Sequence, residues 1–272
     1  MAFFNKKEKN TSNRPRTEVN STPQPKPQPK PQPKPQPKAN LATIISKGIR
    51  VAGNITGSDF VQVEGTLDGD ITVDNVTIGA SGVVNGTIKA KNVSIEGQLQ
   101  GEIYCSDLEV KKQGKVSHKI YATHLLVSGT ISGDIVTEKT VTVERDGNIQ
   151  AQRIQSKKIV INGLVDGKVS AEDSIEVGHD GKVKADRLES RKVVVNGKID
   201  GKITASELLE VGRNGFVQGE ITVKNIKTEE GGRVIGTMVT YEETKAPAIE
   251  TPAISNTQSI DKDDNIIDTE PV

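Results

Sequence analysis

Residues 61–73, VQVEGTLDGDITV, alternate strictly between two kinds of side chain. Aliphatic residues and the glycines Gly65 and Gly69 share one parity, whereas Gln, Glu, Thr and Asp fill the other. Alternation with period two predicts an extended chain that has one buried face and one solvated face. The two glycines stand on the buried parity, so they mark points where the chain can bend without a side chain in the way.

This pattern recurs along the chain in a short form and a long form. The short form has two glycines four residues apart, in the pairs Gly53/Gly57, Gly65/Gly69, Gly97/Gly101, Gly129/Gly133, Gly163/Gly167 and Gly197/Gly201. The long form inserts two residues before its first glycine, which is Gly82, Gly114, Gly147, Gly181, Gly215 or Gly232. The second bend of a long unit is again a small residue, except at His118. This alignment predicts two short units at the start, two long units at the end and alternation between them.

A repeat period of about 16 residues, made of short alternating pieces, is typical of a solenoid. Each unit offers three short strands separated by corners, so we expect an all-β, parallel, three-faced β-helix of about 12 turns with disordered termini. The aliphatic residues of one unit contribute about 1.5–3 kcal/mol each when buried, while ordering the unit costs about 1–2 kcal/mol per residue. Each turn therefore depends on the turns above and below it.

Composition divides the chain into segments. All 26 glycines lie between Gly48 and Gly236, and all 12 prolines lie outside that region, which predicts a continuous β domain over residues 41–241 because proline cannot donate to a strand ladder. Residues 1–40 carry nine Lys and Arg against two acids, and residues 242–272 carry eight acids against two lysines. We expect residues 1–9 to be a membrane-targeting segment, residues 10–40 a disordered Pro/Lys-rich linker, and residues 242–272 a disordered acidic tail.

The first nine residues combine the aromatic pair Phe3 and Phe4 with the cations Lys6, Lys7 and Lys9. Aromatic rings insert at the headgroup boundary of a membrane, and lysines near anionic lipid contribute about 1 kcal/mol each. The segment PQPK is then repeated through residues 23–38, which predicts a polyproline II spacer rising about 3.1 Å per residue. The same segment could instead be a docking site for a proline-recognising or acidic partner.

A β-helix has two open ends, where strand edges and apolar side chains need a cover. The residues flanking the repeats remain strand-like and apolar, so we expect the ends to pair with other copies of the chain. The alternative is that the flanking arms fold over the ends or that the last turn frays. The residues predicted to form the contact are Leu41, Ile44, Ile45, Ile49 and Val51 at one end, and Val234, Ile235, Met238 and Val239 at the other.

Nothing in the sequence predicts a catalytic or cofactor site. His118, His124, His179 and Cys105 fall in different units without metal-ligand spacing, and no phosphate-binding glycine motif is found. The neutral β domain, expected to expose no aromatic residues, argues against nucleic-acid binding. We therefore expect no enzyme activity, cofactor, metal or nucleotide. The single cysteine and the lack of a secretory signal indicate a cytoplasmic setting.

Taken together, the short Phe/Lys-rich head, the basic Pro-rich linker, the repeated V-x-V-x-G-x-Φ-x-G-x-Φ (where Φ is aliphatic) and the polar tail resemble the bactofilins, which are bacterial cytoskeletal proteins. The resemblance implies a right-handed coil that assembles end to end, without nucleotide, into non-polar filaments. It also implies that the head binds the inner face of the cytoplasmic membrane, and that the filaments scaffold cell-wall or morphogenetic proteins that set cell shape. About 12 turns is more than the usual domain of that family.

Two other classes of solenoid remain as alternatives. A left-handed β-helix acyltransferase-like enzyme needs an aliphatic residue at every sixth position and a catalytic histidine, whereas the positions here repeat with periods of two and four. A secreted β-helix adhesin or glycan-binding protein needs export and a flat row of threonine or aromatic residues. Threonine is scattered along this chain, which argues against that class.

Overall fold

A computed structural model describes residues 42–241, which form 22 β-strands and no helix. All of the strand pairings are parallel, and each joins segments one turn apart along the chain. The strands are β1 Ala42–Ile45, β2 Arg50–Ala52, β3 Ile55–Thr56, β4 Phe60–Val63, β5 Thr66–Asp68, β6 Ile71–Thr72, β7 Asn75–Ile78, β8 Val83–Asn85, β9 Ile88–Lys89, β10 Asn92–Ile95, β11 Gln98–Gln100, β12 Ile103–Val110, β13 Lys115–Ser117, β14 Ile120–Val127, β15 Thr130–Ser132, β16 Ile135–Val143, β17 Asn148–Ile161, β18 Leu164–Val177, β19 Lys182–Val195, β20 Lys198–Val211, β21 Phe216–Thr228 and β22 Arg233–Thr240.

In the lower turns three consecutive strands make one turn, whereas each strand from β17 to β21 runs through a whole turn. In the second turn, β4 forms the first face, β5 the second face and β6 the third face, and β7 then begins the next turn by pairing with β4. Twelve such turns fit into residues 42–241, with 15 to 19 residues between paired positions. At the interstrand spacing of about 4.8 Å, this part of the chain is a coil about 55 Å long. The prediction of an all-β, parallel, three-faced solenoid of about 12 turns is confirmed.

The core consists of columns of aliphatic side chains that repeat at the same place in every turn. One column on the second face runs through Leu67, Val84 and Leu99, which pair in register and are fully buried. The polar residues between them, such as Asp68 and Asn85, form the solvated surface. Because the side-chain period of a strand is two, the alternation in the sequence decides which residues enter these columns.

The corner between the first and second faces, called here the first corner, is a column of glycines. From the second turn upward its members are Gly65, Gly82, Gly97, Gly114, Gly129, Gly147, Gly163, Gly181, Gly197, Gly215 and Gly232. A Cβ atom at any of them would lie less than 3.0 Å from a backbone carbonyl oxygen, in most cases of the turn below. None has a positive φ, so the space between stacked turns, and not the backbone torsion, requires glycine here.

The first turn differs from the sequence alignment. Arg50 pairs with Thr66, which places Ile49 at the first corner beneath Gly65. The N–H group of Ile49 donates to the carbonyl of Ser46 at 3.1 Å, the same bond that Gly82 makes to Gly79 in a long unit. The first turn is therefore a long unit, and the alignment of Gly53 and Gly57 as a short unit was wrong. Isoleucine fits because no turn among the described residues lies beneath it.

The corner between the second and third faces, called here the second corner, depends on backbone torsion as well as on stacking. A Cβ atom at any of its glycines that has a described turn beneath it would also lie less than 3.0 Å from a carbonyl oxygen of that turn. Ten of its twelve residues have φ between +92° and +151°, and nine of these are glycine, including Gly69, Gly101, Gly133, Gly167 and Gly201. His118 is the exception, with φ of +92°. At Ala151 and Ala185 the chain has one extra residue before the third face, which removes the need for a positive φ.

Small residues also line the third corner, where one turn passes into the next. Cys105 pairs with Ala122, which pairs with Thr137, and the hydroxyl of Thr137 donates to the hydroxyl oxygen of Ser156 at 2.7 Å. Sequence analysis expected no exposed aromatic residue on this domain. That expectation was wrong, because the rings of Tyr104 and Tyr121 stack at 4.9 Å on the outside of the third face.

Candidate assembly surfaces at the two ends

The N-terminal end of the solenoid is a layer with neighbours on one side only. Within residues 42–241, β1, β2 and β3 pair only with β4, β5 and β6 of the turn above. The register directs Ile45, Val51 and Ile55 inward, in the same columns as Val63, Leu67 and Ile71. Val51 and Ile55 stay half-buried, whereas Leu67 and Ile71 are fully buried. Val51 and Ile55 are more exposed because no described turn lies beneath them.

The C-terminal end presents a second incomplete layer. Residues 225–228 and β22 have a parallel neighbour below and none above among the described residues. Ile226 stacks on Leu209 and Met238 stacks on Ile221, so both are members of the core columns. Ile226 is 39% exposed and Met238 is 50% exposed, compared with 0% for the residues below them. Val234 completes the layer on the second face.

Four of the predicted end residues lie elsewhere on the end turns. Ile44 pairs with Gln62, and Ile235 and Val239 pair with Gln218 and Thr222, so these three side chains point outward from their faces. Ile49 lies at the first corner, where it is half-exposed. Leu41 and the predicted membrane residues Phe3, Phe4, Lys6, Lys7 and Lys9 lie outside the described residues. Their roles stay predictions.

Sequence analysis missed two members of the end layers, Ile55 and Ile226. Ile226 precedes Gly232 by six residues, as Leu209 precedes Gly215, so its inward parity was a usable signal. Ile55 was missed because the first turn was aligned on the wrong glycines. The predicted contacts were chosen by apolarity near the termini, and apolarity alone does not distinguish the end of a column from the outside of a face.

Ion pairs tie both end turns to their neighbours. At the N-terminal end Arg50 and Asn85 both donate to Asp68 at 2.7 Å, and these hydrogen bonds, that of Asn85 first, lower the pKa of the Asp68 carboxyl. At the C-terminal end Lys227 donates to Glu210 at 2.6 Å. This bond lowers the pKa of Glu210 and raises the pKa of Lys227. The charges surround the apolar layers without entering them.

The described residues hold no arrangement typical of catalysis. His118, His124 and His179 lie in different turns, and no group of His, Cys, Asp and Glu within residues 42–241 could hold a metal ion. Burial, and to a lesser degree the nearby Asp107, raises the pKa of the Cys105 thiol to about 12, so the thiol stays protonated and is a poor nucleophile. In the same part of the chain, no helix is long and apolar enough to cross a membrane.

One family of known proteins matches the chain along the solenoid. The family described as "Bactofilin: Polymer-forming cytoskeletal" matches residues 43–127, 120–186 and 153–239. The three overlapping matches together cover nearly all of the solenoid. No curated protein and no solved structure matches the chain. The matches overlap at residues 120–127 and 153–186, as expected of one repeat pattern that continues along the solenoid.

Proposed function

Since the chain belongs to the bactofilin family, a polymer-forming cytoskeletal family, we propose that it assembles end to end, without nucleotide, into membrane-associated filaments that scaffold cell-shape or cell-wall machinery. One observation carries the assembly step. The core columns are buried through the ten inner turns. At both ends they finish in half-exposed aliphatic side chains and in strands that have a neighbour on one side only. Burying such a layer against another copy gains hydrophobic free energy and pairs strand edges at once.

The Ile49 corner supports a filament that is non-polar. In a head-to-tail joint that continued the coil, the first corner of one copy would sit on the last turn of the next. Every first-corner residue that has a turn beneath it is glycine, because a Cβ atom there meets a carbonyl oxygen. Ile49 has no room in such a joint. Pairing of like ends, N-terminal with N-terminal and C-terminal with C-terminal, avoids this clash.

Assembly is tested with a matched pair on β22 of the full chain. Met238→Glu places a charge in the C-terminal layer, whereas Val239→Glu places the same charge on the neighbouring outward position. We expect electron microscopy without ATP or GTP to show filaments for the wild type and for Val239→Glu, and short paired species for Met238→Glu. Filaments of normal length from both Met238→Glu and Ile226→Glu would contradict the proposal.

Membrane binding rests on the composition of residues 1–9, with Phe3 and Phe4 beside three lysines. One such segment binds a bilayer only marginally, but many segments on one filament bind together through avidity. Deleting residues 1–9 should release the protein from vesicles containing anionic lipid while filaments persist. Unchanged sedimentation with the vesicles after the deletion would refute the role of this segment.

A further inference from the structure

A column of cations runs along the outside of the third face, in the half of the solenoid near the C-terminal end. It occupies the outward position just before the first buried residue of that face. In four consecutive turns its members are Arg153, Lys168, Arg187 and Lys202. Neighbouring strands lie about 4.8 Å apart, and like charges directly opposite each other on such strands are destabilising. An anion bound beside the column would offset this repulsion.

The lower half of the column has no acid to neutralise it. Within residues 42–241, Arg153 and Lys168 take part in none of the ten ion pairs. Asp134 lies one turn below Arg153 in the same column, but the two form no ion pair. At the top of the column, Lys202 donates to Glu220 at 2.9 Å. The two cations without an acidic partner therefore stand side by side.

The lower three cations border one shallow hollow of about 340 Å³. Its polar lining consists of Arg153, Gln155, Lys168, Ser170, Arg187 and Glu189. Arg153 and Arg187 are two turns apart, about 9.6 Å, and Lys168 lies between them. Glu189 is the only acid in this lining, and it already accepts a hydrogen bond from Arg187. The hollow therefore has an excess of positive charge.

We propose that this hollow binds a phosphate group. A phosphate group presents three acceptor oxygens, so it can bind three separate cations at once, whereas a carboxylate presents two. The planar fork of arginine matches the geometry of phosphate, and lysine adds a point charge. The hydroxyl of Ser170 and the amide of Gln155 add neutral donors. Small-ligand pockets enclose about 300–1,000 Å³, so there is room for a phosphate group with a small group attached.

Two sources present such a group, namely a phosphate compound in solution and the headgroup of an anionic phospholipid. The same three cations would recognise the phosphate of either source. The hollow lies within a single copy of the chain and within the described residues. Binding of phosphate therefore does not depend on the proposed filament or on residues 1–9, and its test can fail while both of those proposals stand.

The test measures binding of inorganic phosphate to the full chain by isothermal titration calorimetry at low salt. We expect saturable binding, weakened at least tenfold by Arg153→Gln with Lys168→Gln, because two of the three cations are lost. The matched control is Lys182→Gln with Lys198→Gln. These two lysines are also exposed and paired across neighbouring strands, but they lie on the second face outside the hollow. The control should bind phosphate within twofold of the wild type.

A second variant should change the affinity in the opposite direction. Glu189→Gln removes the negative charge from the lining and releases Arg187. We expect phosphate to bind at least threefold more tightly to this variant. The control is Glu210→Gln, which removes an acid that binds Lys227 on the first face. It should leave the affinity for phosphate unchanged.

Sedimentation of the full chain with vesicles of phosphatidylcholine and phosphatidylglycerol decides the source. A loss of at least threefold in vesicle affinity for Arg153→Gln with Lys168→Gln, but not for the lysine control, assigns the hollow to lipid headgroups. Equal vesicle affinity assigns it to a soluble phosphate compound. Either source requires inorganic phosphate to bind. No saturable binding up to tens of millimolar phosphate, or equal phosphate affinity of these two double variants while circular dichroism shows both folded, would overturn the proposal.

Discussion

The first and second corners of the solenoid both use glycine, but the physical requirement differs. At the first corner the backbone torsion is ordinary and the carbonyl of the turn below leaves no space for a Cβ atom. At the second corner most residues also need a positive φ. The chain relaxes the second requirement by adding one residue, as it does at Ala151 and Ala185. It relaxes the first only at Ile49, where no described turn lies beneath.

This difference teaches that the first corner reports stacking between turns alone, whereas the second corner combines stacking with the path within one turn. A torsional requirement can be met locally, by changing the length of the corner. At the first corner, where torsion is ordinary, the stacking requirement disappears only at Ile49, beneath which no described turn lies. The first corner is therefore the place where the sequence shows whether a turn is inside the coil or at its end.

The largest effect is expected from a first-corner substitution inside the coil. In Gly163→Ala the new Cβ atom meets the carbonyl oxygens of Glu144 and Gly147, which accept the N–H groups of Gly147 and Leu164, so neither can move without breaking a backbone hydrogen bond. We expect a loss of about 3 kcal/mol in the free energy of unfolding. Hydrogen exchange of the surrounding turns measures it. Gly57→Ala, whose Cβ makes only an ordinary contact at 3.9 Å, is the control and should be nearly neutral.

A second-corner substitution should cost about as much but be repairable. Gly133→Ala combines a left-handed φ of +146° with contact to the carbonyl of His118, and we expect a loss of about 3 kcal/mol. Inserting one glutamine after the new alanine copies the corner at Ala151 and should recover most of the loss. Thermal unfolding of the three proteins measures this. Failure of the insertion to raise the midpoint above that of Gly133→Ala would contradict the torsional explanation.

Replacing the histidine at the second corner should relieve backbone strain. His118 holds φ at +92°, and the structure gives its side chain no hydrogen bond within the described residues. We expect His118→Gly to stabilise the protein by about 1 kcal/mol, because the relief of strain exceeds the added flexibility of glycine in the unfolded chain. The melting temperature should rise by about 2–4 °C. His124→Gly, in a strand with ordinary torsion, should lower it.

The smallest effect is expected at the bottom of the first corner. Ile49→Gly should change the free energy of unfolding by less than about 1 kcal/mol, because Ile49 is half-exposed and nothing described lies beneath it. The reverse change one turn higher, Gly65→Ile, would drive a large side chain into the carbonyl of Ile49. Denaturant unfolding of both variants compares the two positions. A loss for Ile49→Gly as large as that for Gly65→Ile would show that stacking does not explain the column.

The repeating pattern of the sequence predicted much of the fold. The alternation in residues 61–73 and its repetition predicted the parallel three-faced coil and its number of turns. The first turn was the failure, because Ile49 occupies a glycine position and hides the long corner. The stacked Tyr104 and Tyr121 were also missed, although each follows a second-corner residue by three positions, so the repeat alignment already placed them in adjacent turns.

By itself the sequence determined which residues face inward, because the side-chain period of a strand is two and the repeat carries that parity through every turn. It also determined that each turn needs neighbours, because one unit buries too little apolar surface to fold alone. The tertiary structure alone decided which apolar residues end the core columns and which point outward, since that depends on register between turns. It likewise decided that the cations Arg153, Lys168 and Arg187 border one hollow on the third face. Stacking brings them together from positions far apart in the chain.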